Sequence, residues 1–164
     1  MKIVKATSNH IPIIENLAQK IWPIAYKNVI TQEQINYMLG LFYAKEALHT
    51  QMLTKKHQFY LVQNEMDNYL GFVSFEINCK PSKTKIHKIY VLPESQGLGL
   101  GKLLFEKTKQ EALKENQKAI FLNVNKYNKA QFFYAKLGFT IAEEEVIAIG
   151  NDYVMDDYVM EVQL

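Results

Sequence analysis

A chain of 164 residues, 48% hydrophobic and 12% aromatic, has the make-up of one globular domain and excludes a disordered, fibrous or multidomain protein. No apolar run approaches the roughly 18 residues of a membrane span, and Met1-Lys2-Ile3-Val4-Lys5 lacks the apolar stretch of a secretory signal, so a cytoplasmic protein with no membrane partner is expected. The net charge is +2, yet all 19 basic residues are lysine, so anions must be held by backbone amides, hydroxyls or ammonium groups instead of guanidinium forks.

Taken in chain order, Ile11, Ile14, Leu17, Ala18, Ile21 and Ala25 recur at helical spacing after Thr7 or Ser8, which predicts an amphipathic helix over 8–21 that Pro23 ends or kinks. Thr31-Gln32-Glu33-Gln34 resembles a capping box, followed by Ile35, Met38, Leu39 and Phe42 on one helical face. A short helix is expected around 44–54. The β-rich runs 57–63 and 70–77 flank the polar 64–68 and read as a hairpin, and Pro81-Ser82-Lys83 marks another turn. A strand over 86–92 stops at Pro93, and a helix follows from Leu100 to about Glu115. A strand (119–124), a short helix (130–136) and two strands (139–149 and 153–162) joined through Gly150-Asn151-Asp152 complete the chain. This order suggests an α/β domain with a mixed central sheet, helices on both faces and a parallel strand-helix-strand crossover over 86–124.

Cys79 alone cannot form an internal disulfide, and four scattered histidines give no zinc-type spacing, so no metal is expected. The first 136 residues hold every lysine against 10 acids, whereas 137–164 hold seven acids and no lysine. Lysines spread this widely do not form a nucleic-acid footprint, and no nucleic-acid partner is expected.

Three glycines at alternate positions, Gly97, Gly99 and Gly101, lie between a predicted strand and a predicted helix. Their backbone can approach a ligand closely, and the helix amino terminus offers unpaired amides and partial positive charge, which together suit a pyrophosphate. A tight strand-to-helix connection is the alternative. The spacing matches neither the dinucleotide fingerprint nor the P-loop, and Gly101-Lys102-Leu103 lacks the metal-binding hydroxyl, which excludes nucleotide hydrolysis.

The run Ile89-Tyr90-Val91-Leu92-Pro93-Glu94-Ser95-Gln96-Gly97-Leu98-Gly99-Leu100-Gly101-Lys102 resembles the acetyl-CoA signature of the GNAT N-acetyltransferase superfamily. Asn128-Lys129-Ala130 through Phe133-Tyr134-Ala135-Lys136-Leu137-Gly138-Phe139 resembles its second cofactor motif. The resemblance implies a mixed, mostly antiparallel sheet with helices on both faces and a C-terminal β-hairpin, with acetyl-CoA as cosubstrate and a homodimer as a possible assembly. It also implies that the backbone of Ile89, Tyr90 and Val91 pairs with the pantetheine arm. The amides of Gln96, Gly97, Leu98, Gly99, Leu100, Gly101 and Lys102 would surround the pyrophosphate, with Asn128 and Lys136 as further cofactor contacts. Gln96 replaces a frequent arginine, and Asn128 lies six residues before Tyr134 where seven is commoner, so Asn123 and Asn125 stand as substitutes for Asn128.

By the same resemblance Tyr134 is the general acid that protonates the leaving thiolate, set against its reading as a buried helix aromatic. For the base, His87 occupies the strand position where related enzymes often carry a carboxylate, and alternation places it on the face of Ile89 and Val91. Glu76 on the neighbouring strand competes with it. Ile21-Trp22-Pro23-Ile24-Ala25-Tyr26 and Gln34-Ile35-Asn36-Tyr37-Met38 are similar to the acceptor region of bacterial polyamine N-acetyltransferases, which nominates Trp22, Tyr26 and Tyr37. The acids Glu143, Glu144, Glu145, Asp152, Asp156 and Asp157 would attract a cationic acceptor, or only keep a hairpin soluble. A small amine or polyamine is the expected acceptor; a peptide or protein amine, and a catalytically silent CoA-binding module, are the alternatives.

Overall fold

The computed structural model describes every residue, Met1–Leu164. The strands are β1 (Lys2–Lys5), β2 (Gln58–Gln63), β3 (Tyr69–Lys80), β4 (Lys83–Val91), β5 (Ala119–Asn125), β6 (Thr140–Gly150) and β7 (Tyr153–Gln163). The helices are α1 (Ile11–Ala25), α2 (Gln32–Tyr43), α3 (Lys45–His49), α4 (Leu100–Lys114) and α5 (Ala130–Lys136). A one-turn 3-10 segment, Ser8–His10, precedes α1, and a π-turn, Thr50–Thr54, continues α3.

Local chemistry accounts for the helix limits. Pro12 sits in the first turn of α1, where an amide hydrogen would be unpaired in any case. Of the two outcomes expected of Pro23, an end or a kink, it does not end the helix: it removes only its own donor, and the last turn closes beyond it through the Tyr26 amide to the Trp22 carbonyl at 3.0 Å. Thr31 caps α2 by accepting from the Gln34 amide at 3.1 Å. The capping box is one-sided, because Gln34 reaches across to donate to the Val154 carbonyl at 3.1 Å.

The strands form one sheet in the order β1-β2-β3-β4-β5-β7-β6, antiparallel except for β4 and β5. The parallel pair is the β4-α4-β5 crossover, and the mixed, mostly antiparallel architecture holds. The edge strand β1, absent from the sequence reading, pairs with β2 from Lys2↔Gln63 to Lys5↔Tyr60. Only its half-buried Ile3 and Val4 are apolar, too short a pattern to register.

Each sheet face carries a core of its own. α1, α2 and α3 bury Ile14, Ile21, Trp22, Ile35 and Leu48 against Phe59, Leu61 and Phe72. α4 and α5 cover the other face, where Leu100, Leu104, Phe105 and Tyr134 pack on Val73, Phe75, Ile86, Ile120 and Leu122.

Gly71 lets β3 and β4 approach closely, since a Cβ there would stand 2.5 Å from the Tyr90 carbonyl oxygen. Gly71→Ala should therefore destabilise the fold by about 1–3 kcal/mol through overpacking. A urea denaturation midpoint equal to wild type would show that the two strands separate without strain.

Candidate active site

The parallel ladder between β4 and β5 runs only from Lys83↔Ala119 to Ile86↔Leu122. Beyond it the strands part: β4 stays paired with β3 up to Gly71↔Val91, and β5 stays paired with β7 up to Asn125↔Asp157. The β4 edge at Ile89–Val91 therefore faces a gap with its hydrogen-bonding groups unpaired, a template for an extended chain carrying amides. The glycine turn lies past the end of that edge. Gly97 and Gly99 have φ of +82° and +76°, and nothing lies within 4 Å of where a Cβ would stand at either. No side chain caps α4, whose first backbone bond runs from the Leu103 amide to the Gly99 carbonyl at 3.0 Å. The amides of Leu100, Gly101 and Lys102 are left as free donors.

Two details depart from the expected cradle. The Gln96 amide already donates to the Pro93 carbonyl at 3.2 Å, because a 3-10 turn over Pro93–Ser95 closes on it, so the free donors begin at Gly97. Gly101 serves packing: a Cβ there would stand 2.9 Å from the Phe133 ring.

His87 is not on the face of Ile89 and Val91. The register jumps from Ser74↔Lys88 to Phe75↔Ile86, so His87 is the extra residue of a β-bulge and the alternation changes phase there. Ile86, Ile89 and Val91 pack on the α4 side, whereas Lys88 and Tyr90 turn toward α1–α3. His87 turns with them and meets Glu76, its Nε2 lying 2.9 Å from Glu76 Oε2. His57, just before β2, stacks on His87 with ring centroids 4.0 Å apart and planes 11° apart, and its Nε2 lies 3.4 Å from the same oxygen.

Three groups of metal-ligating type thus come within 4.8 Å of one another, which sequence spacing did not show. Glu76 Oε2 itself occupies the point on which the two Nε2 atoms converge, 2.9 Å from His87 and 3.4 Å from His57. Burial, together with neighbouring positive charge, pushes His87 down to about 3 and His57 to about 4, so both rings are neutral at physiological pH. Glu76 is pulled below the usual carboxylate range: hydrogen bonds from His87 and Cys79 outweigh the opposing effect of burial. The two candidate bases, His87 and Glu76, are therefore bonded to each other.

A cavity of ≈ 290 Å³ opens where β4 and β5 part, on the α1–α2 side of the sheet. Trp22, Tyr26, Ile30, Met38, Phe42 and Ile149 supply apolar wall; Lys85, His87, Lys88, Asn123, Asn125 and Asp157 supply polar groups. Tyr37 does not line it. Its hydroxyl donates to the Ile149 carbonyl at 2.6 Å and its ring packs on Tyr153, so with Gln34 it fastens α2 to the β6-β7 hairpin.

Two polar groups of the cavity had no individual mark in the sequence. Lys88 is buried, donates to Gln51 Oε1 at 2.8 Å and lies over the Tyr43 ring at 5.2 Å; burial and the nearby Lys55 push its amine down to about 7. Asp157, 1% exposed, has a fully buried Oδ2 with no hydrogen-bond partner. A lysine and an aspartate in otherwise apolar strand positions were the only available signals.

Tyr26 and Tyr90 line the cavity, and Tyr134 lies close enough to interact with both. Tyr26 and Tyr90 share a hydrogen bond of 2.8 Å. Tyr134, packed edge-on against Phe133 and Phe139, is raised well above the ordinary phenol range by burial and by Tyr26, and so keeps its proton. The remaining expected contacts have local roles. Asn128 accepts from the Ala130 amide at 2.9 Å and starts α5, Asn123 donates to Glu145 Oε2 at 2.9 Å, Asn125 accepts from the Tyr127 amide at 2.9 Å, and Lys136 is exposed.

A free strand edge, an uncapped helix terminus and a cavity thus meet where β4 and β5 part. Residues 26–156 match the model of the acetyltransferase (GNAT) domain, and the chain belongs to that family of N-acetyltransferases. An N-acetyltransferase from Lactobacillus delbrueckii subsp. lactis is 23% identical over 163 residues, covering 95% of this chain and 94% of that protein. A spermidine N(1)-acetyltransferase from Thermoplasma acidophilum is 22% identical over 160 residues, 95% of this chain and 96% of that protein. The crystal structure of PaiA N-acetyltransferase from Thermoplasma acidophilum in complex with coenzyme A superposes with a TM-score of 0.83 at 21% identity, covering 99% of this chain and 98% of that one. No helix is long and apolar enough to cross a membrane.

Two outcomes are expected. Gly99→Ala forces a side chain into the left-handed region at about 1–2 kcal/mol, so CoA affinity measured calorimetrically should fall about tenfold; an unchanged affinity would remove the turn from the cofactor site. Second, the folded-state pKa of His87 lies below its unfolded value of about 6.5, so the unfolded chain binds the extra proton and stability is lost as pH falls from 6.5 toward 3. His87→Gln should flatten the dependence of the denaturation midpoint on pH in that window, and an unaltered slope would show that His87 is not a buried neutral ring.

Proposed function

We propose that the chain transfers the acetyl group of acetyl-CoA to a small primary amine, an end of a polyamine included, by direct attack through a tetrahedral intermediate. The observation that carries this reading is the meeting of the free β4 edge and the cavity at the point where β4 and β5 part, with the buried Tyr134 near enough to Tyr26 and Tyr90 to feel their charge. The residues present fit the cosubstrate. The backbone of Ile89, Tyr90 and Val91 offers the pantetheine arm a strand edge, and the amides from Gly97 to Lys102 offer the pyrophosphate a cradle, which a chain without arginine requires. When bound, acetyl-CoA supplies an activated acyl carbon and a thiolate leaving group.

Tyr134, with its proton retained, donates it to the leaving sulfur. Trp22 and Tyr26 form the wall against which the acceptor's methylenes pack. A cavity of ≈ 290 Å³, bordered where Tyr37 and Gln34 fasten α2 to the hairpin, favours a small amine over a peptide. The likeness to a protein named for spermidine acetylation supports a polyamine end as acceptor.

The test is release of CoA thiol from acetyl-CoA with a panel holding spermidine, an alkyl monoamine and an amino-terminal peptide. Turnover of the amines but not the peptide is expected, and peptide turnover alone would overturn the reading. In Tyr134→Phe, kcat should fall about 10²–10⁴-fold, the usual contribution of a positioned acid, with CoA affinity preserved. Wild-type kcat in that variant would remove Tyr134 from the chemistry.

A further inference from the structure

Of the seven acids in the last 28 residues, most have found partners. Lys126 Nζ lies 2.8 Å from Glu144 and 2.9 Å from Asp156, Lys83 lies 2.7 Å from Glu161, Lys80 3.7 Å from Glu143, and Asn123 donates to Glu145. Asp152 is exposed on the hairpin turn. Asp157 differs from all of them: it is the one that is buried, it has no ion pair, and its Oδ2 is an acceptor with nothing donated to it. A buried carboxylate oxygen without a donor is costly unless a cation or a proton reaches it. It also lines the cavity that opens on the cofactor gap.

From this geometry we infer that Asp157 is the catalytic base of the acetyl transfer, binding the acceptor's ammonium group at Oδ2 and taking one proton from it. The inference rests on the N-acetyltransferase reading above and adds to it the group that neither His87 nor Glu76 supplies, since those two are hydrogen-bonded to each other. In the step, an N–H bond of the ammonium breaks, an O–H bond forms at Oδ2, and the electron pair left on nitrogen attacks the thioester carbonyl carbon. The carbonyl π pair moves to oxygen and returns as the C–S bond breaks. The thiolate takes the Tyr134 proton, the nitrogen passes its surplus proton to the Tyr134 oxygen, and Asp157 releases its own to solvent. One amide, one thiol and one proton result.

Charged and titratable groups face Asp157 from each neighbouring element. Glu145 on β6 and Asp156 on β7 disfavour its ionisation, as burial does more strongly; Asn123 on β5 and Lys85 on β4 favour it. Tyr26, just past the end of α1, feels its charge, and His87, Lys88 and Tyr90 on β4 share the cavity. The carboxyl is pushed up to about 6, so it is mostly ionised at pH 7 and loses that charge just below.

Two measurements test the inference together. For wild type, kcat/KM for an amine shown to be acetylated should carry an acidic limb near pH 6. In Asp157→Asn that limb should vanish and kcat/KM at pH 7.5 should fall about 10²–10⁴-fold, with acetyl-CoA affinity unchanged. Stability supplies the second readout. A carboxyl whose folded pKa is raised contributes stability below its unfolded pKa and loses it as pH rises through about 6. Asp157→Asn should therefore melt higher than wild type at pH 8 and equal to it near pH 4. Full activity in Asp157→Asn overturns the inference while leaving the transferase reading intact, as does an acidic limb that survives there and is lost in His87→Gln. A lower melting temperature at pH 8 makes Asp157 a structural residue and also overturns it. Failure of wild type to acetylate any amine in the panel overturns the functional reading and this inference with it.

Discussion

The parting of β4 and β5 after Ile86↔Leu122 is the constraint on which the site depends. Each strand remains anchored on its other side, β4 to β3 and β5 to β7, so the gap is not a frayed edge. Both walls are buttressed by the sheet, and unpaired backbone groups persist there at low conformational entropy. The bulge at His87 follows immediately on the last parallel pair. That extra residue turns Lys88 and Tyr90 toward α1–α3 and leaves Ile89 and Val91 against the α4 core. Without it the phase of the strand would invert, Tyr90 would face the wrong core, and its bond to Tyr26 would be lost.

Around the gap the structure tolerates polar groups that the rest of the core avoids. Lys88, the His57–Glu76–His87 cluster and the orphan oxygen of Asp157 all lie at or beside one cavity. Each is less favourable than an apolar residue of like volume would be. Local breaches of packing rules concentrated in one place mark a functional site, where stability is traded for chemistry. The compensation lies in the two apolar cores on either side of the sheet, which hold the strands while the site remains imperfectly satisfied.

Much of this was legible in the sequence. Helical periodicity located α1 and α2, turn residues bounded the hairpins, and the glycine turn followed by Asn128 to Phe139 indicated the family. What was hidden has a common cause. The period-2 rule assumes a regular ladder, and a bulge is visible only in the pairing of Phe75 with Ile86 and Ser74 with Lys88. His57 and His87 lie thirty residues apart in sequence and meet only because β2, β3 and β4 are sheet neighbours. Nothing in the sequence distinguishes one acid of the last 28 residues from another; only tertiary pairing with Lys80, Lys83 and Lys126 singles out Asp157.

That pairing changes the meaning of the charge asymmetry between the two parts of the chain. Exposed acids paired with lysines project little field beyond a Debye length of about 8 Å at physiological salt. Attraction of an amine by the hairpin as a whole is correspondingly weak. A lone carboxylate in a desolvated wall acts differently. Two unit charges 4 Å apart interact by about 1 kcal/mol in water but about 4 kcal/mol at an effective dielectric constant near 20. Asp157 at the cavity wall would therefore contribute more to holding a cation than the paired acids of the hairpin surface, and it lies in the cavity that opens beside the free β4 edge. Under the proposed mechanism, acceptor recognition would rest on one buried charge and an apolar wall, with Lys85 and Lys88 in the same cavity opposing the entry of a second ammonium.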